Sequence, residues 1–206
     1  MAFGQLRLDI KDADIERGGE PVLCGLTLCA SSGEALQFFG GNGCGKSSLL
    51  QAIAGLVPLA AGEIHWSSAG ASGDGVRLTP EMTFVGHETP AKLTLSGREN
   101  LRFWARIYGV DNNEMVTDML GQAGLSAAQD IPVHRYSAGQ RRRLDLARAL
   151  IAARPVWLLD EPTASLDRDG VEAWTGAIAA HQDRGGLALI ASHDRLELRS
   201  RNVRLG

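Results

Sequence analysis

Nothing in this 206-residue sequence has the length or composition of a membrane-spanning helix. Such a helix needs roughly 18 consecutive apolar residues, and no run comes near that. The opening MAFGQLRLDI also lacks a basic stretch followed by an apolar one, so the expectation is a chain that neither crosses a membrane nor is exported. Cysteine is scarce. Cys24, Cys29 and Cys44 cannot all pair, and their spacing fits no zinc motif, which points to a reducing cytosol. Positive charge is not in excess: 21 Lys and Arg stand against 24 Asp and Glu, a net charge of −3, so no overall basic field favours nucleic acid. With 44% hydrophobic residues the chain is neither disordered nor fibrous, and its length suits one substantial core with room for two lobes. No internal repeat is present.

What the chain does have is glycine, 25 in all, and four of them fall in one nine-residue stretch, GGNGCGKSS, Gly40 to Ser48. Glycine loses the most backbone freedom on folding, so such a cluster implies a backbone that needs positive φ or close approach to something. The spacing matches GxxxxGK[ST], with Gly40, Gly45, Lys46 and Ser47 at the fixed positions, Gly41, Asn42, Gly43 and Cys44 between them, and Ser48 next in line. Successive N–H groups of such a loop curl around the β-phosphate of a nucleotide and the following helix adds its positive end. Lys46 then reaches the β- and γ-phosphates, and the Ser47 hydroxyl binds Mg²⁺. An ordinary glycine-rich turn is the bland alternative, but the strand before the loop and the helix after it are both legible. Cys44 has two readings. A helix N-terminus favours its thiolate and makes it oxidation-sensitive, or it is a small filler in the loop.

A second motif is PVWLLDEP, residues 155 to 162. A continuous apolar run suits a strand buried on both faces, and it ends in two carboxylates at the sheet edge where α/β proteins hold their ligands. Asp160 is expected to hold Mg²⁺, directly or through water. Glu161 points elsewhere and polarises the water that attacks the γ-phosphate. A third is YSAGQRRRLDLARAL from Tyr136, in which Ser137 and Gln140 satisfy a helix capping box. Arg141, Arg142 and Arg143 then crowd the first turn, where the helix dipole disfavours cations. Either this helix end attracts an anion, or the arginines form a solvated face bridged to nearby acids; the latter does not explain SAGQ.

Along the chain, β-rich segments are expected near 5–15 and 21–39, a helix over about 46–57, and strands near 63–67 and 82–86. Helices follow at 96–108 and 112–123, with Gly109 and Gly124 as stops, and a longer one runs from Ser137 to Ala153. Then come a strand at 156–160, a helix at 170–182, a strand at 187–192 and a short ending near 197–205. The stretch SSAGASGDG, 67–75, is a surface loop by composition. The fold class is α/β with a parallel central sheet, interrupted by a helical insertion of about 88–152.

YSAGQ resembles the LSGGQ signature of the ATP-binding cassette proteins, and it lies between the phosphate loop and DE, where that family has it. TASLD, 163–167, resembles the family's D-loop, and His193 in IASHD resembles its switch histidine. The resemblance covers essentially the whole chain. It implies a single P-loop NTPase domain over residues 1–206, with a RecA-like parallel core, an antiparallel β subdomain and the helical insertion. It further implies ATP and Mg²⁺ as cofactors, catalytic work by Glu161 and His193, and a head-to-tail pair of copies. In that pair Ser137, Ala138, Gly139 and Gln140 of one copy cap the γ-phosphate held by the other, with Asp167 alongside.

Narrower features, FVGHETPAKLTLSGRENLRF, QDIPVHRYSAGQRRRLDLARAL and VWLLDEP, are similar to the haem-exporter ATPases of bacterial cytochrome c maturation. That implies a peripheral subunit on the cytoplasmic face of the inner membrane, complexed with the membrane subunits CcmB, CcmC and CcmD and serving the haem chaperone CcmE indirectly. His87 stands where most cassettes have glutamine. The resemblance implies that it reaches toward Mg²⁺ and the attacking water and links nucleotide state to the membrane partner; a histidine that merely packs the loop is the other reading. Histidine, unlike glutamine, can gain a charge near neutral pH. The adenine-stacking aromatic has no candidate near Arg17, so a guanidinium is expected to stack there, which leaves ATP over GTP open. Gly41 and Tyr136 replace a commoner proline and leucine.

Two other classes compete. The ATPase of a different exporter is the nearer rival. A soluble cassette protein of DNA repair or translation needs a long coiled-coil insertion or a second cassette, for which 206 residues leave no room. His87 and Glu88 begin like HExxH, but Ala91 stands where the second histidine belongs, so metal-dependent hydrolysis is unsupported.

Overall fold

Two kinds of strand sequence give two kinds of sheet. In the computed structural model, which describes residues 3–68, 81–110 and 112–205, β1 (Leu6–Arg17) and β2 (Glu20–Ser31) carry polar residues on an exposed face. β3 (Ala35–Phe39) is apolar but for the buried Gln37 and almost wholly buried, and β4 (Ala61–Ser68) returns to the mixed type. The mixed strands form an antiparallel sheet in the order β2-β1-β4. In β1 the inward residues are Leu8 and Ile10, then Ala13 and Ile15, a shift of one position. Its register with β2 breaks between Ile10 and Ala13, around Asp12 at φ 45°, so a bulge resets which face points inward.

The second sheet has the order β5-β6-β7-β3-β8, where β5 is Met82–Val85, β6 is Val156–Asp160, β7 is Leu187–Ala191 and β8 is Arg201–Arg204. β6 pairs parallel to β7, β7 to β3 and β3 to β8. Parallel strands covered on both faces need unbroken apolar runs, which VWLLD and LALIA supply. The carboxyl ends of β3, β7 and β6 consequently share one edge. Leu49, Leu50 and Ile53 of α1 (Lys46–Ile53) are buried in the same core, each worth about 1.5–3 kcal/mol of transfer from water.

Several boundaries differ from the sequence expectation. The segment 21–39 is two strands, parted by a turn over 32–34. α1 stops at Ile53 rather than 57, because Gly55 at φ 72° turns the chain after Ala54. The short ending includes β8, an edge strand beside β3. Of the expected loop SSAGASGDG, Ser67 and Ser68 end β4, and the rest lies outside the described residues.

The chain divides into two compact units, one of Met1–Phe84, Pro155–Glu161 and Ile178–Gly206, the other of Val85–Arg154 and Pro162–Ala177. The second is helical. α2 (Gly97–Ile107) opens on a capping box in which the Ser96 hydroxyl accepts from Glu99 N and the Glu99 carboxylate accepts from Ser96 N. α3 (Asn113–Gln122) is capped by the Asn112 side chain, and α4 (Ala138–Ala152) buries Leu144, Ala147 and Ile151. α5 (Arg168–Asp183) is divided between the units.

Candidate nucleotide site

In the first unit the chain leaves β3 into the glycine loop. Gly40 lies so close to Cys44 Sγ and the Leu205 carbonyl that no side chain fits there, and Gly45 takes φ 91° to start α1. α1 has no side-chain cap and no acid in its first turn, so its first N–H groups and positive end suit an anion. Lys46 is 7% exposed, and its Nζ donates to the carbonyls of Gly40 at 2.9 Å and Gly41 at 3.1 Å. Among the described residues it is paired with no carboxylate. Its Nζ also lies 3.9 Å from Cys44 Sγ, and a buried cation without a carboxylate partner favours a negative ligand.

Three strand ends supply the rest. Ser47 Oγ donates to Asp160 Oδ1 at 3.0 Å, and Asp160 is buried at the end of β6. Glu161 follows in the left-handed region at φ 50°, its N–H donating to the Ala191 carbonyl at 2.8 Å, so the chain turns sharply and the two carboxylates diverge. The Glu161 carboxylate accepts from His193 N–H at 3.4 Å, and its Oε1 lies 3.5 Å from His193 Nε2. Arg17, at the end of β1, donates to Gln51 of α1 at 2.9 Å.

The donor set suits Mg²⁺. Ser47 and Asp160 are adjacent hard oxygens, and no group of three or more His, Cys, Asp or Glu that could hold a metal occurs among the described residues. Mg²⁺ takes one or two protein oxygens and completes its shell from phosphate and water, whereas imidazole nitrogen such as that of His87 suits it less well.

The second unit carries the signature stretch. Ser137 Oγ accepts from Gln140 N at 3.1 Å while Gln140 Oε1 accepts from Ser137 N at 3.0 Å, the expected capping box. A Cβ on Gly139 would lie 2.9 Å from the Ser165 carbonyl, so only glycine fits against that loop. Asp167 Oδ1 accepts from Gly170 N at 2.9 Å and from Arg143 at 2.5 Å, which holds its carboxyl below the usual range. Tyr136 is buried, with its hydroxyl donating to Ala128 O at 2.8 Å, and burial pushes that hydroxyl's pKa up.

Arg143 is bridged to Asp167, as the bland reading expects, but Arg142 is not on a solvated face: it is buried beside Asp145 and donates to the carbonyls of Gly86 and His87. Gly40–Ser48, Arg17, Asp160, Glu161 and His193 therefore lie in the first unit, and exposed His87, Ser137–Gln140 and Asp167 in the second. Sequence reasoning missed the Arg142 and Asp145 contacts. The signal was an aspartate inside the apolar run of RLDLARAL, at a position the helix buries.

The family model described as ABC transporter matches residues 23–164. The cytochrome c biogenesis ATP-binding export protein CcmA of Ruegeria pomeroyi is 42% identical, covering 94% of this chain and 88% of its own. The protein of the same name from Bradyrhizobium diazoefficiens is 44% identical, covering 92% and 93%. Among solved structures, an ABC transporter ATP-binding protein from Pyrococcus furiosus is similar with a TM-score of 0.83 at 25% identity, covering 97% of both chains.

Proposed function

This chain belongs to the ABC transporter family, in the branch of the CcmA cytochrome c biogenesis export proteins, and we propose that it is a single cassette that hydrolyses ATP with Mg²⁺ to drive haem delivery in cytochrome c maturation. The observation that carries the reading is the buried Lys46 ammonium at an uncapped, acid-free helix N-terminus, next to the Ser47–Asp160 pair. That is a site for a polyphosphate.

The loop Gly40–Ser48 binds the β- and γ-phosphates through main-chain N–H groups and Lys46. Ser47 and Asp160 would hold Mg²⁺, which would neutralise charge on the phosphates. Glu161 takes the proton of the water that attacks the γ-phosphorus as the bond to the bridging oxygen breaks and ADP departs. His193, hydrogen-bonded through its main chain to Glu161, steadies the γ-phosphate. Arg17 stacks on the base.

Ser137–Gln140 open a helix with no acid in its first turn, in a unit that lacks a phosphate loop. Two copies paired head to tail give that helix its anion in trans, with Asp167 at the contact. His87 links nucleotide state to the membrane partner. No helix among the described residues is long and apolar enough to cross a membrane. The likeness to the CcmA proteins supports a peripheral place on the cytoplasmic face of the inner membrane, against CcmB, CcmC and CcmD and upstream of CcmE.

The test is complementation. In a strain lacking the gene, the wild-type chain should restore c-type cytochromes and Lys46→Ala should not, with ATPase activity of the purified complex lost in parallel. Normal cytochrome yield from a Lys46→Ala strain overturns the reading.

A further inference from the structure

The segment that carries His87 is poorly packed. His87 and Glu88 are exposed and border a cavity of about 470 Å³ within the helical unit. Helix α4 holds the segment by polar contacts instead. Arg142, 6% exposed, donates to the Gly86 carbonyl at 2.7 Å and to the His87 carbonyl at 3.4 Å. One turn along, Asp145, 2% exposed, accepts the Thr89 hydroxyl at 2.9 Å and lies 3.6 Å from Arg142. The loop is thus gripped at both ends by two side chains three residues apart on one helix.

These contacts go to the Gly86 and His87 carbonyls and the Thr89 hydroxyl, and none of them engages the His87 imidazole. Burial pushes the Asp145 carboxyl up, and Arg148, the Thr89 hydroxyl and Arg142 oppose that. A buried ion pair is a poor route to stability, since an apolar replacement is often neutral or better, so its value lies in placement. Ser137 caps the same helix about one and a half turns before Arg142. A helix is stiff over that distance.

We propose that Arg142 and Asp145 are positioning residues that, with Thr89, clamp the 86–89 loop to the signature helix so that His87 and Ser137 move as one body. This rests on the reading of His87 as the link to the membrane partner. The clamp makes engagement of the signature helix and placement of His87 a single event.

A double-mutant cycle in the full membrane complex tests it. Arg142→Gln should lower kcat for ATP about tenfold while nucleotide affinity stays within about twofold, and Arg142→Lys should recover part of the loss. Placed on His87→Ala, Arg142→Gln should cost nothing further, because both act through the same group. Losses that multiply overturn the clamp and leave the His87 reading standing; full turnover in His87→Ala alone overturns both. Thr89→Val removes only the hydroxyl that Asp145 holds and carries the same expectation if Arg142→Gln does not fold. Its amide exchange over residues 86–89 should quicken about tenfold, and unchanged exchange overturns the clamp.

Discussion

Ser47 and Asp160 meet across 3.0 Å, a hydroxyl from the first turn of α1 and a carboxylate at the end of β6. The contact ties the phosphate loop to the end of the strand that leads into Glu161, and it presents two hard oxygens side by side. Asp160→Asn keeps the shape and removes the negative charge of that pair. Affinity for a fluorescent ATP analogue should fall about tenfold or more with Mg²⁺ present and change little in EDTA. An equal loss with and without Mg²⁺ would remove Asp160 from the metal.

Glu161 and His193 face one another at the next two strand ends, with Glu161 Oε1 3.5 Å from His193 Nε2. A carboxylate turned out of strand register and held beside an imidazole is arranged to take a proton. Glu161→Gln should therefore bind ATP but turn over about 10²–10⁴-fold more slowly, and should accumulate as an ATP-bound dimer in size-exclusion chromatography. His193→Ala should lose turnover with only a modest rise in KM. Near-normal kcat in the Glu161→Gln complex assigns the proton to another group.

Much of this arrangement was legible because its causes are local. VWLLD, LALIA and GGNGCGKSS each specify their own backbone, and the box Ser137–Gln140 marks a helix start without outside help. The end of α1 was misplaced because Leu56 and Val57 continue an apolar pattern past Gly55, and Leu56 proves to be 65% exposed. The β1 bulge depends on Thr27 across the sheet, whose hydroxyl accepts from Asp12 N at 3.0 Å. Arg142 and Arg143 likewise take their meaning from carbonyls and an acid distant in sequence, which no local window contains.

The proposed in-trans pairing makes a distinctive genetic prediction. Lys46→Ala chains have a broken phosphate loop and an intact signature, and Ser137→Arg chains the reverse. Each variant alone should be inactive, whereas mixed dimers should hold at most one intact composite site and regain part of the wild-type rate. Mixtures that stay inactive in a complex shown to contain both chains, or a wild-type rate independent of protein concentration far below any dimer, contradict the pairing.

The last prediction concerns stability in acid. His181, at the end of α5, is wholly buried; its ring stacks on Trp157 with centroids 4.2 Å apart and lies 5.3 Å from the Phe3 ring. Gly186 packs against the imidazole so closely that a side chain there would collide with it. Burial lowers its pKa from 6.5 to about 4, Arg184 adds to the shift, and the main chain at Leu187 and Pro155 partly opposes it. The helix C-terminus would favour a cation at this position, so burial wins over the dipole. The sign follows: the folded chain holds the neutral ring and the unfolded chain takes the proton first. Stability is complete above pH 6.5 and falls as pH drops toward 4, by about 3 kcal/mol in all. His181→Phe keeps an aromatic ring in the stack and removes the titration. Urea midpoints measured from pH 7.5 to 4.5 should fall more steeply for the wild type than for His181→Phe, and parallel profiles would show that other groups carry the acid sensitivity.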